Sequence, residues 1–204
     1  VYTVLGIILG GLAGYFGGWV DMVIMRIVDV LNCIPSLPIL LIVGAIFDGL
    51  KSTIGISDDV RIYIMLGALT LLSWPGTARL VRGQILFLRE QEYMVAADAL
   101  GFGVGRKIFK HLVPNVMPQL IVSMTLGLGG TILTEASLSF LGLGVPTYLA
   151  SLGQMVSLAT KNLTIMEFYM LDWLPAGLII ILAVVAFNFI GDGLRDALDP
   201  KMKR

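Results

Sequence analysis

Charge is what this sequence has least of. Asp, Glu, Lys and Arg make up 14% of its 204 residues, against about 25% in soluble globular domains. Hydrophobic residues make up 57%, and the mean hydropathy is +0.90. This composition argues against a water-soluble protein. The 14 basic and 14 acidic residues also cancel, so the net charge indicates no acidic or basic partner.

Reactive side chains are scarce as well. The single cysteine, Cys33, excludes an internal disulfide, and neither Cys33 nor the single histidine, His111, has the neighbours of a metal site. A G-x-x-x-x-G-K-[ST] phosphate loop is missing, because residues 101–107 (GFGVGRK) have another spacing and no Ser or Thr after Lys107. We therefore expect a non-catalytic chain that itself binds no metal and no cofactor.

Long apolar runs without charge are what the sequence does have. A helix needs about 20 mostly apolar residues to cross the hydrocarbon layer, and one central charge costs about 2.5–3.5 kcal/mol. None of the runs shows the polar stripe of a helix in a soluble protein. The sequence therefore predicts an all-α polytopic membrane protein, with one transmembrane domain over residues 1–204. The five predicted spans lie at residues 1–20, 34–47, 62–78, 112–134 and 173–191.

Basic residues are distributed unevenly between the predicted loops. Residues 82–111 hold five Lys and Arg, whereas residues 48–61 and 144–172 together hold three. By the positive-inside rule, we expect residues 82–111 and the C-terminus in the cytoplasm and the other two loops outside. Residue 1 would then lie outside and is not Met, so we expect an earlier helix and six spans in the full chain.

The polar segment 82–111 is predicted to be a docking element. Residues 92–100 contain good helix formers and no Gly or Pro, and Gly101 is expected to end this helix in a left-handed conformation. A second short helix is expected over residues 106–112, before Pro114 opens the next span. The alternative is a solvated loop with incidental helicity. At 100° per residue, one helix face carries Tyr93, Ala96, Ala97 and Leu100, and this is the predicted docking face.

Two further patterns leave alternatives open. Glycines at a four-residue spacing in the first run, at positions 6, 10, 14 and 18, favour close helix packing, with a lining of the translocation path as the alternative. Glu135, followed by Ser137 and Ser139, ends a long apolar run. An ionisable group at membrane depth is a candidate for a translocation path or gate, and the alternative is helix capping or pairing inside the subunit.

A family resemblance rests on four stretches of the sequence. Residues 92–115, EYMVAADALGFGVGRKIFKHLVPN, resemble the EAA loop of importer-type ABC permeases, with Val95 at the position of the Glu. His111 before two apolar residues and Pro-Asn is the form usual in the peptide and nickel branch. The stretches MRIVDVLNCIPSLP, TEASLSFLGLGVP and FNFIGDGLRDALDPKMK are similar to the same branch, so the resemblance covers essentially the whole chain.

The resemblance implies a type I ABC permease core of the second-permease type, in a prokaryotic inner membrane. It implies import of oligopeptides or dipeptides, with nickel or another small solute as the alternative and a secondary transporter as a weaker one. The implied partners are a homologous permease forming a heterodimer, two ATP-binding subunits that use ATP and Mg, and an external solute-binding protein. The implied ATPase-coupling residues are Glu92, Tyr93, Ala96, Ala97, Leu100, Gly101, Arg106, His111 and Pro114.

Overall fold

Helices account for all regular structure in the part of the chain that the computed structural model describes, which is residues 1–55, 57–142, 144, 149–161 and 163–198. One six-residue π-helical segment, Lys107–Leu112, lies between α6 and α7. The α-helices are α1 (Tyr2–Phe16), α2 (Gly18–Cys33), α3 (Ser36–Ile54), α4 (Asp58–Arg89), α5 (Glu92–Ala99), α6 (Val104–Arg106), α7 (Val113–Phe140), α8 (Leu152–Thr160), α9 (Leu163–Phe168) and α10 (Met170–Leu198).

Four of the predicted spans are confirmed as helices that are long and apolar enough to cross a membrane. They are Ser36–Thr53, Val60–Arg89, Val104–Phe140 and Met170–Leu198. The predicted span over residues 1–20 is wrong in its extent, because α1 has 15 residues and ends at Phe16. At 1.5 Å per residue, α1 is about 22 Å long, shorter than a hydrocarbon layer of about 30 Å.

The helices extend beyond the apolar runs. Residues 48–61 are predicted as a short external turn, but α3 continues to Ile54 and α4 begins at Asp58. The predicted loop is too long, because hydropathy marks where a chain leaves the bilayer, whereas a backbone hydrogen-bond ladder can continue into water. The hydroxyl groups of Ser52 and Thr53 both donate to the Gly49 carbonyl (2.8 and 2.9 Å), which keeps these polar residues compatible with the helix.

The described helices group into two compact units. The first contains residues 1–35 and 70–122, and the second contains residues 36–69 and 123–204. In the first unit, α1 packs on α4 through its glycines: a Cβ at Gly10 would lie 2.3 Å from the Ala78 carbonyl oxygen, and one at Gly6 would lie 2.5 Å from Thr77 Cβ. The predicted close packing is confirmed for these two glycines and for Gly14.

Ion pairs between α2 and α4 complete the first unit. The Arg82 guanidinium donates to both carboxylate oxygens of Asp21, and Arg79 Nη2 lies 2.8 Å from Asp29 Oδ1. The two-point contact of Arg82 fixes its geometry more firmly than a single bond would. These two pairs therefore neutralise Asp21, Asp29, Arg79 and Arg82 within the chain.

In the second unit, α8 is packed against α7. A Cβ at Gly153 would lie 2.5 Å from Ala136 Cα, so this contact leaves no room for a side chain. Residues 152–160 of the predicted external loop form α8, with Ser151 as its N-cap. Other parts of the predicted external loop, residues 145–148 and 162, and the predicted cytoplasmic C-terminus at residues 199–204 lie outside the described residues.

Candidate coupling site

A short helical turn connects α4 to the long helix that ends in α7. Gln91 is extended (φ −73°, ψ 146°), and its carbonyl accepts the N–H groups of Met94 and Val95 (2.9 and 3.2 Å), which starts α5. Glu92 lies in the first turn of α5, where a carboxylate interacts favourably with the helix dipole. The predicted polar segment of residues 82–111 is helical at both ends, so the connection itself is residues 90–103.

Gly101 ends α5 as predicted. Its φ is +69°, in the left-handed region that glycine adopts at low cost. The Gly101 N–H donates to the Asp98 carbonyl (3.0 Å), and the Phe102 N–H donates to the Ala97 carbonyl (3.1 Å). These two bonds define a Schellman motif. The exit direction of the chain after α5 is therefore fixed by backbone hydrogen bonds.

The predicted docking face is not exposed at every member. Ala97 is 3% exposed, and Met94, one turn earlier, is 1% exposed within a core cluster that includes Val81 and Leu112. Helical periodicity groups residues onto a face but does not say which face turns inward. The long apolar side chain of Met94 takes the inward position, and Ala97 shares its side of the helix.

Several apolar residues of α5 are exposed, beside the charged Glu92 and Asp98. Leu100 is 71% exposed, Val95 61% and Tyr93 39%, and Ala96 is exposed as well. Of the predicted face, Tyr93, Ala96 and Leu100 are therefore accessible, and Val95 joins them. The sequence pattern missed Val95, because a single exposed apolar residue is normal on a protein surface and is no signal by itself.

A π-helical segment joins the turn to α7. Residues 106–112 are predicted as a separate short helix, but α6, the π segment and α7 form one continuous helical run over Val104–Phe140. Pro114 has no N–H to donate to the carbonyl four residues earlier. The π-helical segment, whose turn is wider than an α-helical turn, lies just before this proline. The Asn115 side chain donates to the His111 carbonyl (2.6 Å). The helix passes Pro114 without a break, which corrects the prediction.

Stacked side chains hold the turn against the π segment. The Arg106 guanidinium carbon lies 4.1 Å from the centre of the Phe102 ring. The Phe102 and His111 ring centres are 6.1 Å apart at 16°, and those of His111 and Tyr93 are 6.3 Å apart at 35°. His111 and Arg106, which the resemblance implies as coupling residues, are thereby brought together with Tyr93.

Burial within this stack affects the ionisable groups. Partial burial of the phenol raises the pKa of Tyr93 above its ordinary value, because a phenolate would lose hydration. Tyr93 therefore remains a neutral hydrogen-bond donor at physiological pH. The His111 Nε2 atom is buried and has no hydrogen-bond partner among the described residues, so packing rather than hydrogen bonding at this atom positions the ring.

An ion pair that the sequence analysis missed also connects α5 to the π segment. Lys107 Nζ lies 2.5 Å from Asp98 Oδ1. The two residues are nine positions apart, on either side of the Gly101 turn. No helical periodicity in the sequence therefore indicates that they pair. The apolar Phe102 after Gly101 could have been recognised, since the residue after the glycine of a Schellman motif often makes a hydrophobic contact.

Glu135 pairs inside the chain. Its Oε1 atom accepts hydrogen bonds from the hydroxyl groups of Ser139 and Ser151, both at 2.7 Å. Ser151 is also the N-cap of α8 and accepts from the Gln154 N–H at 3.4 Å. Ser137 donates to the Leu133 carbonyl of its own helix (2.7 Å). Of the two alternatives left open by the sequence, pairing inside the subunit is the observed arrangement, and it ties α8 to α7.

The chemistry available at these sites is that of contact and packing. Within the described ranges, no group of three or more His, Cys, Asp or Glu side chains could hold a metal ion. The exposed apolar edge of α5, its left-handed turn and its stacked aromatic side chains form a small rigid projection. Such a projection suits insertion into a cleft of another protein.

Comparison with known proteins identifies relatives along nearly the whole chain. The family model for inner membrane components of binding-protein-dependent transport systems matches residues 6–204. The oligopeptide transport system permease protein OppC of Bacillus subtilis is 42% identical over 200 residues, covering 98% of this chain and 61% of OppC. The dipeptide transport system permease protein DppC of Alkalihalophilus pseudofirmus is 41% identical with the same coverage of both chains.

A relative with another printed substrate is similar to nearly the same degree. The glutathione transport system permease protein GsiD of Pectobacterium atrosepticum is 38% identical over 203 residues, covering 100% of this chain and 63% of GsiD. The chain therefore spans about three fifths of the length of these curated relatives.

Proposed function

The chain belongs to the family of inner membrane components of binding-protein-dependent transport systems, and from this premise we propose that it is the second permease subunit of an ATP-driven peptide importer. It is an all-helical multi-pass membrane protein with the importer permease fold. The observation that carries the proposal is the projection formed by α5 and the turn after it. Ala96 and Ala97 in α5, Gly101 in the turn and Pro114 in α7 match the EAA loop. Val95, Ala96 and Leu100 are apolar and exposed.

In the proposed mechanism, α5 is the element that an ATP-hydrolysing subunit grips. Exposed Val95, Ala96 and Leu100 would be buried in a cleft of that subunit, which removes apolar surface from water. Two ATP-binding subunits bind ATP and Mg, and this chain supplies no group to their chemistry. Closure of the ATPases on ATP moves α5 as a unit.

Movement of α5 reaches the membrane helices through direct contacts. Met94 packs in the same cluster as Val81 of α4 and Leu112 of the π segment, and the pair of Asp98 with Lys107 bridges the turn. The helical run over Val104–Phe140 has no break. A displacement of α5 therefore displaces α4 and α7 together, and the translocation path opens alternately to the two sides.

The remaining proposed partners are a homologous permease, with which this chain forms a heterodimer and the path, and an external solute-binding protein that delivers the cargo. The proposed cargo is oligopeptides or dipeptides, since the printed names of several relatives specify these substrates. The proposed orientation places α5 and the C-terminus in the cytoplasm and α8 outside, in agreement with the distribution of basic residues.

A reconstituted transporter tests the proposal. The full-length chain is assembled in vesicles with its co-encoded permease, ATPases and binding protein, and ATP-driven uptake of a labelled tripeptide is measured. We expect unlabelled peptides to compete with the labelled tripeptide for uptake. A nickel chelate should not compete. We also expect Leu100→Asp to reduce co-purification of the ATPases, because a carboxylate would be desolvated in the cleft. ATP hydrolysis by this subunit alone, or uptake that ignores peptides, would refute the proposal.

A further inference from the structure

An apolar groove lies in the first unit between α1, α4 and the helical run that leads into α7. Its volume is about 280 Å³, and nearly all of its lining atoms are carbon. It follows α1 from Ile7 to Phe16, and its opposite walls include Ile85 and Val116. Ile8 and Leu12 on its rim are exposed. A polar solute would find no hydrogen-bond partner along this groove.

The shape of the groove suits a slender occupant. A single hydrocarbon chain, which is much thinner than a helix about 10 Å wide, can lie along α1 between Ile7 and Phe16.

Basic residues are placed at one end of the groove. Tyr15 lines that end, and Arg89 Nη1 donates to the Tyr15 carbonyl at 2.7 Å. Lys107 Nζ lies 5.9 Å from the centre of the Tyr15 ring. Asp98 offsets the charge of Lys107, whereas Arg89 is exposed. One end of an apolar groove is thus positively charged.

We propose that this groove binds an anionic glycerophospholipid, with one acyl chain along α1 and the phosphate beside Arg89. The apolar lining matches the hydrocarbon, and the exposed Arg89 guanidinium matches the headgroup. Basic pockets between membrane helices are a recognised form of anionic lipid site. The proposal requires only that the chain spans a membrane, and it is independent of which solute is transported.

The experiment uses the assembled transporter in nanodiscs made of equal parts phosphatidylglycerol and phosphatidylcholine. In separate samples, one of the two lipids carries a diazirine on its acyl chain, and crosslinked peptides are mapped by mass spectrometry. We expect crosslinks on α1 and near Val116, with about a fivefold preference for phosphatidylglycerol, the effect of roughly one basic residue at an anionic headgroup. Arg89→Gln should abolish the preference while crosslinking continues.

Two glycine variants provide the matched comparison. A Cβ at Gly11 meets only Ile85 Cδ1, at 3.8 Å, and a Cβ at Gly83 meets nothing within 4 Å. Gly11→Phe should fill the groove and abolish lipid crosslinking, whereas Gly83→Phe, on α4 away from the groove, should leave it unchanged. Gly11→Ala, which adds only a methyl group, should retain assembly and most of the crosslinking.

Several results would overturn the proposal. Equal crosslinking by the two lipids in the unaltered transporter would show that the headgroup is not recognised. Undiminished crosslinking in an assembled Gly11→Phe transporter would show that the lipid does not occupy the groove. A photoreactive residue at Leu12 that crosslinks to another transmembrane helix instead of lipid would show that protein occupies the groove. Crosslinking to phosphatidylglycerol from Leu12 supports the proposal.

Discussion

Val95 and Ala97 are two residues apart in α5 and have opposite surroundings. Val95 is 61% exposed, and Ala97 is 3% exposed. The family pattern has a Glu at the position of Val95, and a charged residue there would be solvated in the isolated subunit. At Ala97, by contrast, the neighbours belong to the chain itself. The small side chain at position 97 is therefore required by folding before any partner binds.

A bulky residue distinguishes these two roles. Ala97→Trp should destabilise the subunit by about 1–3 kcal/mol or more, because a close-packed site absorbs extra volume only with strain. Ala96→Trp, on the exposed side of the same helix, should leave thermal stability unchanged and block association with the ATPases. The measurements are the Tm of the purified permease pair and co-purification of the ATPases. An unchanged Tm for Ala97→Trp would contradict the inward assignment.

The connection after α5 shows how a whole element depends on one backbone angle. Gly101 has a φ of +69°, whereas Gly103, two residues later, has a φ of −62°. Neither glycine would bring a Cβ within 4 Å of another group. The two positions therefore differ in conformation and not in the space available.

Valine substitutions at these positions test the turn. Gly101→Val should disrupt the end of α5 at a cost of about 1–2 kcal/mol or more, since a Cβ clashes in the left-handed region. Gly103→Val should have a smaller effect. Hydrogen exchange of the backbone amides over residues 92–106 should rise selectively for Gly101→Val, and ATP-driven transport should fall. Equal exchange in both variants would show that the turn does not depend on a positive φ.

The contact of α7 with α8 gives a second prediction at this scale. Ser151→Ala removes the N-cap of α8 and one hydroxyl group from Glu135, and loss of an N-cap costs about 1 kcal/mol. Ser137→Ala removes only an exposed bond within α7 and should be neutral. Proteolysis between α7 and α8 should accelerate for Ser151→Ala alone. Equal cleavage of the two variants would show that this hydroxyl does not hold α8.

Sequence patterns predicted these elements to different extents. Apolar runs located four spans, and Gly101 marked the end of α5, because both signals are local. The inward side of α5 was not predictable, since it depends on Met94 fitting a cluster built by α4 and the π segment. The π segment itself has no compositional signature. The pair of Asp98 with Lys107 forms only after the turn has folded.

At the scale of the whole molecule, orientation in the membrane is the testable property. Lys161, at the end of α8, and Glu90, after α4, are both exposed. In a Cys33→Ser background, Lys161→Cys should react with a membrane-impermeant maleimide added outside spheroplasts. Glu90→Cys should react only after the membrane is disrupted. The reverse pattern would contradict the proposed orientation and place α5 out of reach of cytoplasmic ATPases.

The glycine contacts of α1 have a mechanical consequence. Gly10 lies so near the Ala78 carbonyl oxygen, and Gly6 so near Thr77, that no Cβ fits between them, and a Cβ at Gly14 would be in tight contact with Ile85. If α1 slid along its axis, residues with larger side chains would move to these glycine positions. The α4 backbone leaves no room for them there. The two helices are therefore held in one register. A displacement of this part of α4 would carry α1 with it.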